Sequence, residues 1–301
     1  MAQMSRETSR GIVPVAVLCA LFGISRQGYY AALKAIAAAA KGAASVVVPL
    51  TRRIPERFAA VDVVLAAIKA MVAEHQAWGV RKVWAMLRRE HELRVGKNRV
   101  YALMKAAGLL LPPDRVRTPS PRGTVAVEEP NRRWASDMTT VYTARDGWVG
   151  VTPTVDCGCR SVLSVVIAKE QDAATLLGSL RQALVAEFGS PERVPDGLEW
   201  RTDHGPQFTG VDARDLCDEW NVDHTFAPIG RPTGNAVAER LNRTLKEEVL
   251  WLQDFETIDD VRRAVEAWLP VYNGRRPHQA LGFKTPAEVR TEKLAPLPLA
   301  A

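Results

Sequence analysis

From residue 131 to about residue 290, β-branched runs alternate with helical patterns, and this constrains the fold more than any other feature of the chain. RRWASDMTTVYTA (132–144) reads as a strand, RDG (145–147) as a turn and WVGVTPTVDC (148–157) as the returning strand. SVLSVVIAKE (161–170) supplies a third strand. DAATLLGSLRQALVAEFG (172–189) is an amphipathic helix with Gly189 just past its end. LEWRTDHG (198–205) is a short buried strand, ARDLCDEWN (213–221) a helix and VDHTFAP (222–228) a last strand. NAVAERLNRTLKEEVLWL (235–252) and DDVRRAVEAWLPVYN (259–273) follow as helices. Three antiparallel strands, a crossover helix and further strands covered by helices predict an α/β fold, a mixed sheet with flanking helices. Strand order cannot be read from this pattern.

The chain ahead of residue 131 is helical in pattern. Residues 13–34 read as helix, turn, helix: VPVAVLCALF carries an apolar face, Gly23 allows the turn, and Ser25 caps RQGYYAALK. From spacing alone this is either a helix-turn-helix or an ordinary helical hairpin. Residues 35–50 read as a fraying helix and a linker. In 56–110, ERFAAVDVVLAAIKAMVAEH is a periodic helix. A second helix puts Val80, Val83, Trp84 and Leu87 on one face, and a third turns Val100, Leu103 and Met104 inward. Residues 111–130 hold five prolines and no periodicity, and so read as a linker. LAPLPLAA (294–301) reads as a disordered end. The expected layout is a first module over 1–50, a second over 51–110, the linker 111–130, a core over 131–290 and a tail over 291–301.

Charge is divided unevenly. The net charge is +6, but residues 1–125 hold 20 Lys+Arg against 7 Asp+Glu and residues 126–301 hold 20 against 27. A basic front half ahead of a mildly acidic domain suits a nucleic-acid partner as well as a solvated basic surface. Arg81, Lys82, Lys97 and Arg99 are its candidate DNA contacts in the second module; Arg115, Arg117 and Arg122 could follow phosphates from the linker. VPVAVLCALFGI (13–24) is too short to span a bilayer and has no cleavage pattern after it, which argues against a membrane anchor or signal peptide. Cys19, Cys157, Cys159 and Cys217 lack zinc-finger spacing, and Cys157 and Cys159 are expected as small buried strand residues. The expected location is a reducing cytoplasm, with no membrane partner.

Three carboxylates stand out by their surroundings. Asp137 lies in RRWASDMTT, Asp203 in RTDHGPQF (201–208), and Glu239 in RPTGNAVAERLNRTLKEE (231–248), with thirty-five residues between the last two. Each alone is unremarkable: an Asp in a strand is more often an edge residue, and a Glu in a helix is usually solvated. Together, in these contexts and at this spacing, they resemble the catalytic core of bacterial DDE transposases. FGISRQGYYAALK, WGVRKVWAML, VGKNRVYALMKAAGL and the closing YNGRRPHQALGFKTPAEV (272–289) strengthen the likeness. The chain resembles the integrase-like second frame of the insertion-sequence-three family, in the retroviral-integrase superfamily, over nearly its whole length.

The resemblance implies a ribonuclease-H-like core preceded by all-α helix-turn-helix modules. It implies a transposase that nicks DNA 3′ ends and joins them by transesterification, in a bacterial cytoplasm and on the nucleoid when bound. Asp137, Asp203 and Glu239 would be both catalytic residues and metal ligands. Mg²⁺ or Mn²⁺, two ions, would suit such oxygen donors, with no other cofactor. Residues at i+4 and i+7 from Glu239 share its helical face, which gives Arg243 and Lys246 as DNA contacts; the resemblance carries the role over to Lys246. His204 and Gln207 would position the scissile strand, Arg275 and Arg276 would hold phosphates, and His278 would be a phosphate contact or a cap. Gly205 is expected to permit a tight turn, and Asn235 to cap the Glu239 helix.

The expected partners are transposon ends and target DNA, and a homo-oligomer, at least a dimer on DNA. An upstream helix-turn-helix and leucine-zipper protein, or a frameshift fusion to one, is a further expected partner. A purely hydrolytic nuclease and a non-enzymatic DNA-binding regulator remain as alternatives.

Overall fold

The computed structural model describes residues 7–8, 11–12, 25–40, 59–112, 127–170, 172–227 and 235–294. Backbone contacts divide the chain into two units, 1–55 and 56–301. In the first, Glu7–Thr8 pairs antiparallel with Gly11–Ile12, and α1 spans Arg26–Ala40. Ser25 Oγ accepts from Gly28 N–H (3.0 Å), the expected cap. The first helix of the expected N-terminal pair, residues 13–24, lies outside the described residues, as do most of the linker with its three arginines and the tail.

The second unit opens with three helices, α2 (Val61–Glu74), α3 (Val80–Arg89) and α4 (Lys97–Ala106). Val64, Ile68, Val83, Met86, Leu87, Val100 and Met104 form their shared core. Trp78 seals its base, stacked on His75 at 3.9 Å between ring centroids. The apolar spacing foretold this core, with Trp84 and Leu103 at its half-buried edge.

A six-stranded sheet follows: β1 (Arg133–Ser136), β2 (Thr139–Thr143), β3 (Gly147–Asp156), β4 (Val162–Ala168), β5 (Glu199–Thr202) and β6 (Asp223–Phe226). β3 is the spine. One edge pairs antiparallel with β4, the other with β2 and then β1; β1, β5 and β6 run parallel. The parallel steps need crossovers, provided by α5 (Ala173–Phe188) and α6 (Val211–Glu219). The stretch expected as one strand from 132 to 144 is broken into β1 and β2 at Asp137–Met138, so Asp137 stands just past a strand end.

Side chains alternate across the sheet, and each face has its own core. Trp134 and Trp200 pack with Leu176, Leu180 and Leu184 of α5 and with α6. Ala135, Val149, Val151 and Val155 face α7 (Ala236–Leu245) and α8 (Ile258–Gly274) through Ala238, Leu241, Leu245, Val261 and Val265. With both faces covered, β3 is buried from Val149 to Asp156. α9 (Pro286–Leu294) closes the unit.

Two local expectations need correcting. NAVAERLNRTLKEEVLWL is not one α-helix: α7 ends at Leu245 and Lys246–Leu250 winds as a π-helix. Cys157 and Cys159 are buried as expected, but in the turn after β3. Gly158 between them passes so near Glu129 that a Cβ would lie 2.1 Å from its carbonyl oxygen, which explains the glycine.

Candidate active site

β1 and β5 run parallel with Arg133 opposite Glu199, Trp134 opposite Trp200 and Ala135 opposite Arg201. Two steps further along this register come Asp137 and Asp203, each one residue beyond its strand. Neighbouring strands lie about 4.8 Å apart, so the topology puts both residues side by side at one sheet edge. Asp137 shares strand parity with Ala135, which packs under α7.

α7 is fastened over that edge by two asparagines. Asn242 Nδ2 donates to the carbonyl oxygen of Asp137 (3.2 Å) and to its Oδ2 (3.0 Å). Asn235 Nδ2 donates to Ser136 O (3.0 Å). The expected cap is therefore wrong: Asn235 makes no side-chain cap bond and spends its amide on β1. Glu239 lies one turn before Asn242, on the helical face that meets Asp137. Beneath Asp137, Ser136 Oγ accepts from Trp200 Nε1 (2.9 Å) and continues through Thr154 to Ser179, a buried chain of hydroxyls that holds the strand end.

The carboxylates sense one another. Burial pushes Asp137 up to about 6; its bond from Asn242 opposes this, and the charges of Asp203 and Glu239 add to it. Burial also raises Glu239. Asp203 is exposed, and its Oδ1 accepts from Gly205 N–H (3.0 Å). Gly205 has φ −57° and ψ 143°, open to any residue, so the expected need for glycine there is not borne out. The donor set suits a hard divalent cation, and mutual repulsion around a half-buried Asp137 is what such a cation relieves. The Oδ1 atoms of Asn242 and Asn235 are buried without partners beside the same strand end, leaving acceptors to spare. Among the described residues, however, no three His, Cys, Asp or Glu side chains come close enough together to hold a metal ion.

The DNA-contact candidates separate into two sets. Arg276, its side chain 7% exposed, donates to both oxygens of Glu248. Lys82 reaches the same carboxylate (2.7 Å), and Trp268 Nε1 donates to it (3.2 Å). Arg275 is shared between Glu90 and Glu74. Arg81 donates to Gln279 Oε1 (2.8 Å). Arg89, on the same α3, pairs with Glu288 (2.6 Å). Arg275, Arg276, Lys82 and Arg81, expected as DNA contacts, here tie the three-helix module to the end of the core. The buried carboxylate of Glu248 draws in Arg276 and Lys82, and sequence spacing gave no sign of it. His278 is buried beside Arg276 and belongs to the same packing.

The second set stays accessible. Lys97 is exposed and Arg99 half-buried on α4. His204 is exposed and stacks on Phe226 at 5.0 Å. Arg243 pairs with Glu247 (2.7 Å), and Lys246 Nζ lies 6.0 Å from the centre of the Trp251 ring. The side chain of Gln207 lies outside the described residues. Asn242 was present in the sequence motif, but its role as the clamp on Asp137 was missed; the only signal was its position three residues after Glu239.

The family models agree with this architecture. A model described as HTH-like domain matches residues 60–117, and two described as integrase core domain match 127–232 and 220–286. The transposase InsD for insertion element IS2A/D/F/H/I/K of Escherichia coli is 29% identical over 234 residues, covering 75% of this chain and 77% of that protein. InsD for insertion element IS2-9 of Escherichia coli strain K12 is likewise 29% identical, with 75% and 76% covered. Among solved structures, the simian T-cell lymphotropic virus intasome in complex with PP2A regulatory subunit B56 gamma is 22% identical, covering 72% of this chain and 78% of that one, with a TM-score of 0.48. The catalytic core domain of BIV integrase is 23% identical, with 54% and 95% covered and a TM-score of 0.41.

Two integrase-core matches on a mixed sheet with flanking helices, behind a helix-turn-helix-like module, define an integrase-core protein of the polynucleotidyl transferase type. Within that class the chain is similar to insertion-element transposases such as InsD, as its motifs led us to expect.

Proposed function

We propose that this transposase nicks the 3′ ends of its element and joins them to target DNA at a site made by Asp137, Asp203 and Glu239. The observation that carries the reading is the meeting of two in-register strand ends, Asp137 and Asp203, under a helix bearing Glu239 and tied to Asp137 by Asn242. On this reading the three carboxylates hold Mg²⁺ or Mn²⁺, two ions. Bound there, the ions would supply an activated oxygen nucleophile and stabilise the leaving oxygen. Asn242 fixes Asp137, and α7 carries Glu239 toward the pair as DNA enters. Water opens a phosphodiester, leaving a 3′-OH and a 5′-phosphate. The 3′-OH then attacks a second phosphodiester, so one P–O bond forms as another breaks.

Residues 1–50 and 51–110 serve as end-binding modules, 111–130 as linker and 131–290 as the catalytic core. Lys97 and Arg99 engage phosphates from α4, with Arg243, Lys246, His204 and Gln207 nearer the cut. A DNA-bound dimer or larger oligomer, and an upstream helix-turn-helix and zipper partner, belong to the same reading. Among the described residues no helix is long and apolar enough to cross a membrane.

Strand transfer on labelled terminal-repeat DNA tests the site. Asp137→Asn, Asp203→Asn and Glu239→Gln should each abolish cleavage and joining while DNA binding stays within about twofold, because each loses a ligand but relieves like-charge repulsion. Near-normal joining by any one of the three would remove that residue from the site. Cleavage without joining by the wild type would favour a hydrolytic nuclease.

A further inference from the structure

We propose that Trp251, with Lys246 beside it, is a stacking platform for an unpaired base of the DNA strand. This deepens the reading of the chain as a DNA-joining enzyme and rests on it.

The Trp251 ring is 68% exposed, more than any other large apolar side chain described. Its place comes from the π-helical turn. Trp251 N–H donates to Lys246 O (2.9 Å), five residues back, so residue 251 sits nearly one full turn on, over residue 246. Continued as an α-helix, residue 251 would point roughly 120° around the axis from Glu239. The π turn returns it to the stripe of Glu239, Arg243 and Lys246, and leaves the Lys246 ammonium 6.0 Å from its ring centre. Wide turns of this kind recur at functional sites.

The surroundings select the occupant. Trp251 borders a cavity of about 1620 Å³ whose walls include Arg160, Arg240 and Arg243. The side chains of Arg160 and Arg240 have no hydrogen-bond or ion-pair partner among the described residues, whereas Arg243 is paired with Glu247. A protein partner would favour an interface core poor in charge. An exposed indole ringed by cations suits a base on its face and phosphates at its rim. Bases inside a duplex have both faces covered by stacked neighbours, so a base that lies on the indole is one released from the stack, as at a frayed or nicked end.

Binding of the full chain, without divalent cations, would be measured on three oligonucleotides: a blunt duplex, the duplex with a three-nucleotide overhang, and the same overhang made abasic. Wild type should prefer the base-bearing overhang over the abasic one by about tenfold. Trp251→Ala should abolish that ratio and leave blunt-duplex affinity and the urea midpoint unchanged; Trp251→Phe should restore most of it. An intact ratio in Trp251→Ala, or none in the wild type, overturns the proposal. So does a changed oligomeric state in Trp251→Ala with the ratio kept, which would make Trp251 a subunit contact. Because the readout needs no metal and no joining, it is separable from failure of the carboxylate assignment.

Discussion

Asn242 binds Asp137 through both its carbonyl and its carboxylate, and nothing in the composition of α7 announces this. Single residues were the hardest scale to read ahead of the fold. The three carboxylates stand out in the sequence because their neighbours form motifs. Glu248 does not, because a Glu in an amphipathic helix looks solvated until its burial is known. It is buried, and although burial pushes its carboxyl up, Arg276 and Lys82 outweigh this and hold it below the usual range. His278 is another such residue: burial, then the charges of Arg276 and Lys82, push it down to about 3. Its folded pKa lies below the unfolded value of about 6.5, so the unfolded chain alone takes up a proton between these values. Stability should therefore fall as pH drops from 6.5 toward 3, by on the order of 1.4 kcal/mol per unit from this group. His224, driven down to about 4 by burial, acts in the same direction. Urea midpoints at pH 7 and pH 5 should converge in His278→Gln relative to wild type; an undiminished difference would exclude His278 as a source.

Elements were more legible. Every strand and most helices of the core follow periodicity, because a strand buried on both faces and an amphipathic helix leave distinct patterns. The break at Asp137 and the π turn at Lys246 left none, since each is set by packing across the sheet. α4 illustrates what the pattern does convey. Its inward residues Val100 and Met104 are fully buried, while Lys97, Asn98, Tyr101 and Lys105 are exposed. At about 100° per residue these four fall within a quarter-turn or so of one another. α3, by contrast, spends Arg81, Lys82 and Arg89 on the core. Lys97→Ala and Lys105→Ala should each lower the salt slope of DNA binding by about one. Lys82→Ala should leave the slope alone. A slope insensitive to Lys97 and Lys105 would take α4 away from DNA.

At the scale of the whole molecule, the three-helix module and the core meet through Glu248, Arg275, Arg89 and Arg81. No sequence pattern signals such an interface, because its partners lie some 160 to 200 residues apart in the chain. Lys82 carries the burden: burial, then Arg276, lowers it to about 8 against the pull of Glu248. Removing one member of a buried ion cluster leaves the others unpaired, at a cost of about 3–5 kcal/mol. Glu248→Gln should lower the urea midpoint accordingly and expose the module to proteolysis. Unchanged stability would mean that the cluster contributes little.

That weld turns the second unit into a ruler. A module tethered only by its linker would let the cut wander relative to the sequence it holds. Here, ion pairs run from α3 to the segments around Arg276 and Glu288, and on the proposed reading they would fix the distance between a docked DNA end and the carboxylates. Inserting four residues at position 118 should therefore leave the cleavage position on terminal-repeat DNA unchanged to the nucleotide, as sequencing-gel mapping would report. Loosening the clamp with Glu248→Gln should blur it over neighbouring phosphates. Register would then be a property of the folded protein's rigidity, transmitted through the ion pairs around Glu248 and Glu288.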